Sequence, residues 1–342
     1  MHQPVGGTAR AGDHWGVAHL LRRFGTAIAL LWLVCTLTFA LVHSAPGDAA
    51  LLLLPPEADA ATLARLRAEL GLDAPLAQQY ARWLGNIARG DLGTSLLTGR
   101  PVIDGIREAL PVSLGLGAAS LLLTVLCGVS VGSAQARRAG RPLDTWLTIL
   151  STTLYSAPTF WLSLACVAGV TVGAAAFGVP PAWRLPAFGL RDPGVLDAAA
   201  APLDVLRHSI LPILVLTVTG AAGTARFARS AIIEAARGDY RRTALAKGVT
   251  ARVAWYRHVV RIALPSVAAL VALSVPGIVA GSVFVEGVFA WPGMGKLLLS
   301  AVAQRDHPVI LAITLLYATA VIVTNLLTDL VLPRLDPRRA AS

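Results

Sequence analysis

Apolar runs separated by charged segments dominate the chain, and six of them approach or exceed the ~20 residues a helix needs to cross a bilayer. Residues 24–42, 112–134, 146–179, 209–227, 264–285 and 309–332 are therefore predicted as six spanning helices. The third run covers 34 residues, about 50 Å as helix and more than one crossing needs. Pro158 is expected to kink or break it, and Pro276-Gly277 to interrupt the fifth. The first run follows Arg22-Arg23 and exceeds the roughly 7–15 apolar residues of a signal peptide core. Val42-His43-Ser44 is a poor cleavage site, so this run reads as an uncleaved span.

Two connections are too long to be simple turns. In 44–108, Asp59 suits the cap of a short helix with Leu63, Leu66 and Leu70 on one face and Gly71 at its end. Pro75 then suits the start of a second helix, with Leu76, Tyr80, Trp83, Leu84 and Ile87 on one side and Gly90 as its stop. A small helical cap outside the membrane is predicted, with the Pro- and Gly-rich 180–207 loop on the same side. The other long connection runs from Gly238 to Pro265 and has room for two short helices. Ala244, Ala246 and Gly248 let another backbone approach closely, while Tyr240 and the basic residues supply edges and charge. A merely solvated basic loop would account for the charge but not for the small residues. This connection is expected to dock a partner, which points to a transporter driven by a separate motor.

Composition agrees with a polytopic membrane protein: 342 residues, 55% hydrophobic and 14% charged, with a mean hydropathy of +0.66. The net charge of +10 is not spread evenly. With connections alternating across six spans, 18 of the 29 Lys and Arg fall on the amino-terminal side, nine of them in 226–261. The opposite side carries 13 of the 19 acids. The positive-inside rule makes the basic face cytoplasmic and places both termini there. This asymmetry accounts for the charge without nucleic acid. Cys35, Cys127 and Cys166 lie in apolar runs with no paired spacing, and the seven histidines show no metal spacing. No phosphate-cradling Gly-x-x-x-x-Gly-Lys-Ser/Thr loop occurs, and Ser151, Ser156 and Ser163 have no paired histidine, so no nucleotide site or hydrolytic centre is expected.

At the 238–262 segment the sequence resembles the permease subunits of ATP-binding-cassette importers, specifically the dipeptide/oligopeptide/nickel branch. Ala45-Pro46-Gly47-Asp48, Leu70-Gly71-Leu72-Asp73-Ala74-Pro75-Leu76, Gln79-Tyr80, Trp83-Leu84 and Gly90-Asp91-Leu92-Gly93-Thr94-Ser95 follow that branch in order. So do Tyr240, Arg242-Thr243-Ala244, Ala246-Lys247-Gly248, Arg257-His258 and Leu264-Pro265. Glu286, Phe289, Trp291-Pro292-Gly293-Met294-Gly295, Asp306-His307-Pro308, Asn325-Leu326, Asp329 and Asp336-Pro337-Arg338 complete the series. The wider family's loop opens Glu-Ala-Ala with glycine six residues after the Glu. Here Gly248 lies fourteen residues after Glu234, so Arg242-Thr243-Ala244 occupies the position that fits. Asp306-His307-Pro308 stands where the branch often has Asp-Tyr-Pro.

The resemblance implies an all-α polytopic protein of the type I importer permease fold. Residues 1–108 would be the tail, first span and external segment, 109–332 the transmembrane domain with its coupling loop at 238–262, and 333–342 a cytoplasmic tail. Tyr240, Arg242, Thr243, Ala244, Ala246, Lys247 and Gly248 would couple the permease to its ATPase. Glu286, Phe289, Trp291, Pro292, Gly293 and Gly295 would build the external gate, with Glu286 more a structural group than a solute contact. Asn325 and Asp329, four apart on one face of the sixth helix, are expected to pair across helices, with solute contact as the alternative. The implied partners are a second permease, two ATPase subunits holding ATP and Mg, and an extracytoplasmic solute-binding protein. The chain itself is expected to hold no cofactor and no metal. Peptides are the expected solute, with nickel, glutathione or another small solute as alternatives. An intramembrane enzyme, or a secondary transporter or channel acting alone, would be the rival classes. No polar catalytic cluster, internal repeat or row of intramembrane charges supports either.

Overall fold

The computed structural model describes residues 14–44, 54, 59–69, 71–194 and 201–335, and side chains at 22–44, 54, 59–69, 71–194, 201–271 and 282–328. Among them the chain is helical, with one isolated antiparallel bridge between Thr94 and Pro101. Ala45-Pro46-Gly47-Asp48, Leu70 and Asp336-Pro337-Arg338 lie outside the described residues.

The first helix, α1, is His14–Ser44. Two short helices follow, α2 (Ala60–Glu69) and α3 (Leu76–Ala88). Asp59 caps α2 as its position predicts, its carboxylate accepting the Thr62 N–H at 3.0 Å. Both helices end at left-handed glycines, Gly71 and Gly90. Tyr80, Trp83, Leu84 and Ile87 are half-buried as expected, whereas Leu76, in the first turn, is exposed. The half-buried face of α3 rests on the C-terminal part of α1. Phe39 lies 5.6 Å from Trp83 between ring centroids, and Thr36 shares a 2.6 Å hydrogen bond with Tyr80.

Helix α4 (Val102–Arg137) starts ten residues before the apolar run because Asp104, Arg107 and Glu108 extend it into water. The third run is two helices, α5 (Pro142–Ser156) and α6 (Thr159–Ala168). The break is at Ala157-Pro158, both extended at ψ near 130°, and α6 runs on through a π-helical turn, Gly169–Gly173. Helix α7 (Ala201–Ala236) also starts before its apolar run, and α8 (Asp239–Ala246) follows it. A helical segment over 251–260, mostly π-wound, leads without a break into α9 (Arg261–Gly281). The expected interruption at Pro276-Gly277 does not occur: α9 continues to Gly281 and the chain bends at Ser282. Short helices α10 (Val283–Val288) and α11 (Met294–Ala303) precede the long α12 (His307–Leu335).

Five helices among the described residues are long and apolar enough to cross a membrane, and α9, at 21 residues, corresponds to the remaining predicted span. The tightest helix pair is α4 against α7, through small residues. A Cβ on Gly128 would come 2.6 Å from Thr224 Cβ, and one on Gly132 2.6 Å from the Ala225 carbonyl oxygen. Helices in lipid gain no hydrophobic drive from meeting one another, so close packing of this kind holds them.

Candidate functional site

Helix α8 is fastened on one side only. Ala244 is buried, and the Tyr240 phenol donates to the Ala235 carbonyl at the end of α7. Beneath it, Trp255, Val259 and Val260 pack with Ala228, Ile232 and Ala235 of α7 and Ala136 of α4. The Trp255 indole N–H reaches Ser133 Oγ at 3.1 Å. Arg242, Thr243, Ala246, Lys247 and Gly248 are all exposed. The nearest acid to Arg242 is Asp239 at 3.9 Å, both almost fully in solvent, a weak surface pair. The helix stops in a Schellman arrangement. Val249 N–H bonds the Ala244 carbonyl at 3.1 Å and Gly248 N–H that of Leu245 at 3.0 Å, with Gly248 at φ +81°. Glycine is thus required here by backbone geometry, and a Cβ added at Gly248 would meet nothing in this chain. The segment is a short basic helix exposed on one face, on a base packed against two long helices.

The second constellation centres on Glu286, which is fully buried. One carboxyl oxygen accepts the hydroxyls of Ser113 (2.7 Å) and Ser282 (2.6 Å), and the other the Gly295 N–H (2.7 Å). Ser113 Oγ in turn accepts the Met294 N–H at 2.7 Å. Side chains at Gly293 or Gly295 are excluded, since a Cβ on either would collide with Glu286 or the Val283 backbone. Phe289 and Trp291 are buried, Pro292 is exposed, and Ala290 is held at φ +52°. The Lys296 amine caps the Ala290 carbonyl at 3.2 Å, and Gly189 N–H bonds that of Phe289 at 2.9 Å. Glu286 therefore ties α4, α10 and α11 together, and the turn it holds carries the 180–194 segment. Full burial and three hydrogen bonds to protein groups leave it poorly placed to meet a solute.

Asn325 is exposed on α12 in this single chain, and the Asp329 side chain lies outside the described residues. Three groups make contacts that the sequence did not reveal, and of them only Asp306 had been marked, through the Asp306-His307-Pro308 motif. Asp306 is buried and gathers Ser95 Oγ (2.5 Å) and Leu96 N–H (3.1 Å), pinning the loop before α4 to the start of α12. Ser113 and Ser282 looked like ordinary small residues. Asp144 takes a two-pronged contact from Arg229, Nε to Oδ1 and Nη2 to Oδ2 both at 2.7 Å, and the Gly140 N–H at 2.9 Å. Arg229's hydrogen bonds hold the Asp144 carboxyl below the usual carboxylate range. The one available clue was an arginine inside a long apolar helix, which needs a partner.

Residues 125–341 match the family described as binding-protein-dependent transport system inner membrane component, and residues 17–117 its N-terminal component. The chain is 34% identical over 322 residues to the oligopeptide transport system permease protein AppB of Bacillus subtilis, covering 94% of this chain and 98% of that one. It is 36% identical over 338 residues to the di/tripeptide transport system permease protein DppB of Pseudomonas aeruginosa, again covering 94% and 98%. The glutathione transport system permease protein GsiC of Salmonella paratyphi A is 36% identical over 319 residues, 93% of this chain and 97% of that protein.

Proposed function

Because the chain belongs to the binding-protein-dependent transport system inner membrane component family, we propose that it forms half of the path of an ATP-driven importer of di- and oligopeptides. The peptide reading rests on relatives named for oligopeptide and di/tripeptide transport. A relative named for glutathione, itself a tripeptide-sized solute, keeps that cargo as the second reading.

The single observation that carries the mechanism is the one-sided seating of α8. Its exposed face, Arg242, Thr243, Ala246, Lys247 and Gly248, is free to enter a groove on an ATPase subunit. Its buried face transmits displacement through Trp255 and Val259 into α7 and α4. A rigid-body closure of the motors then moves long helices, not a soft loop. ATP and Mg reside on those motor subunits, two of them. A related second permease completes the path, and an extracytoplasmic binding protein delivers the solute to the Glu286-held turn. The 226–261 segment and both termini face the cytoplasm, in keeping with the basic excess there.

The purified chain alone should neither bind nor hydrolyse ATP, while the complex it purifies with should hydrolyse it. Stoichiometric hydrolysis by the isolated chain, free of other proteins, would overturn the assignment.

A further inference from the structure

A cavity of about 630 Å³ opens between α5, α7 and α9, at the end of the bundle nearer α8, with Thr148, Tyr155, Thr219, Arg226, Ser230 and Leu270 among its walls. That volume is ample for a small ligand. Its two arginines differ in state. Arg229 is neutralised by Asp144. Arg226, one turn earlier on the same helix, has no carboxylate partner among the described residues. Its guanidinium carbon sits 5.5 Å from the centre of the Tyr155 ring, a cation–π contact. Gly223 makes room for that ring, since a Cβ there would come 3.0 Å from Tyr155 Cε2. The wall hydroxyls add no competing charge and little donor capacity. Thr219 Oγ1 donates to the Val215 carbonyl at 3.0 Å and Ser230 Oγ to the Arg226 carbonyl at 3.2 Å. Arg226 and Tyr155 are both exposed, so the open mouth of this polar cavity carries one positive charge without a carboxylate partner, set against an aromatic face.

We propose that this cavity is a transit subsite for a carboxylate, in which the Arg226 guanidinium receives the carboxylate of a solute and Tyr155 orients it. A guanidinium edge offers two parallel N–H groups to one carboxylate, so the site selects solutes with a free acid over their neutral derivatives. The proposal rests on the importer reading and narrows it: the terminal carboxylate of a peptide would be the group recognised. A phosphate of an anionic lipid shares this chemistry, and the test separates the two.

The whole transporter complex is placed in nanodiscs of phosphatidylcholine alone, and binding of tri-alanine and of its C-terminal amide is read by saturation-transfer NMR. The acid should bind at least about tenfold more tightly than the amide. Arg226→Gln should remove that preference, Arg226→Lys keep part of it and Tyr155→Phe keep most of it. Equal binding of acid and amide to the unmodified complex overturns the proposal without any variant, as does a preference unchanged in Arg226→Gln. Loss of the tri-alanine signal on adding phosphatidylglycerol makes the site a headgroup site and equally overturns it. Uptake by proteoliposomes separates this proposal from the peptide reading. Arg226-dependent binding without tri-alanine uptake keeps the subsite and removes the peptide assignment. Uptake indifferent to both the amide and Arg226→Gln does the reverse.

Discussion

Glu286 shows how a single buried acid can be a structural part. Its oxygens collect the hydroxyl of the distant Ser113, the hydroxyl of Ser282 one turn before it and the Gly295 backbone N–H beyond the turn. Removing any donor leaves a buried polar group unsatisfied, which costs more than the hydrogen bond itself contributed. The neighbouring Gly293 has no room for a methyl group, because it would overlap Ser113 Oγ and the Glu286 carboxyl. Gly293→Ala should therefore overpack the turn, costing ~1–3 kcal/mol. This should appear as a lower thermal midpoint of the solubilised complex with α8 unaffected. An unchanged midpoint would mean that the turn is looser than described. Sequence alone marked Glu286 as an acid at the end of a span, hence costly unless inward-facing. It could not supply Ser113, which lies 173 residues away.

The same contrast holds for the helices. The apolar runs located the spans because hydrophobic length is a local property, and Asp59, Gly71 and Gly90 marked helix ends because capping is local too. Polar extensions such as Asp104 to Glu108 at the head of α4 were missed, since amphiphilic helix continues into water with no change of backbone. The expected break at Pro276-Gly277 failed for a related reason: a proline in a spanning helix is tolerated where neighbours re-satisfy the freed carbonyl. The Asp144–Arg229 pair, which fastens α5 to α7, was illegible because neither residue announces its partner. With Asp144 buried and Arg229 about one-third exposed, removing one partner should cost more than removing both. A cycle of Asp144→Asn, Arg229→Gln and the double variant, read by thermal denaturation, should therefore show the double variant as less destabilised than the sum of the two singles. Strict additivity would contradict the pairing. Since Arg229 depresses the Asp144 pKa, the contribution is complete above the ordinary carboxylate value near 3.9 and is lost as pH falls through the lower folded value. The difference between Asp144→Asn and the parent should accordingly be flat from about pH 8 to about pH 5.

For the whole molecule, orientation and coupling decide function. In the orientation proposed from the charge asymmetry, α2 and α3 lie outside and the 251–260 segment inside. Single cysteines at Ala68 and Ala251, in a background lacking Cys35, Cys127 and Cys166, should behave oppositely toward an impermeant thiol reagent. In intact spheroplasts Ala68→Cys should be labelled and Ala251→Cys protected, and the reverse pattern would invert the topology.

Coupling through α8 is tested most directly by ATP-dependent uptake of tri-alanine into proteoliposomes holding the complete transporter, with its binding protein on the solute side and ATP on the motor side. The parent complex should accumulate peptide only when ATP is present. Gly248→Trp should insert and keep its ATPase subunits, because a side chain there meets nothing in this chain, yet lose uptake to background through a strained helix end and a blocked docking face. Uptake by Gly248→Trp at the parental rate, or accumulation by the parent without ATP, would contradict the account.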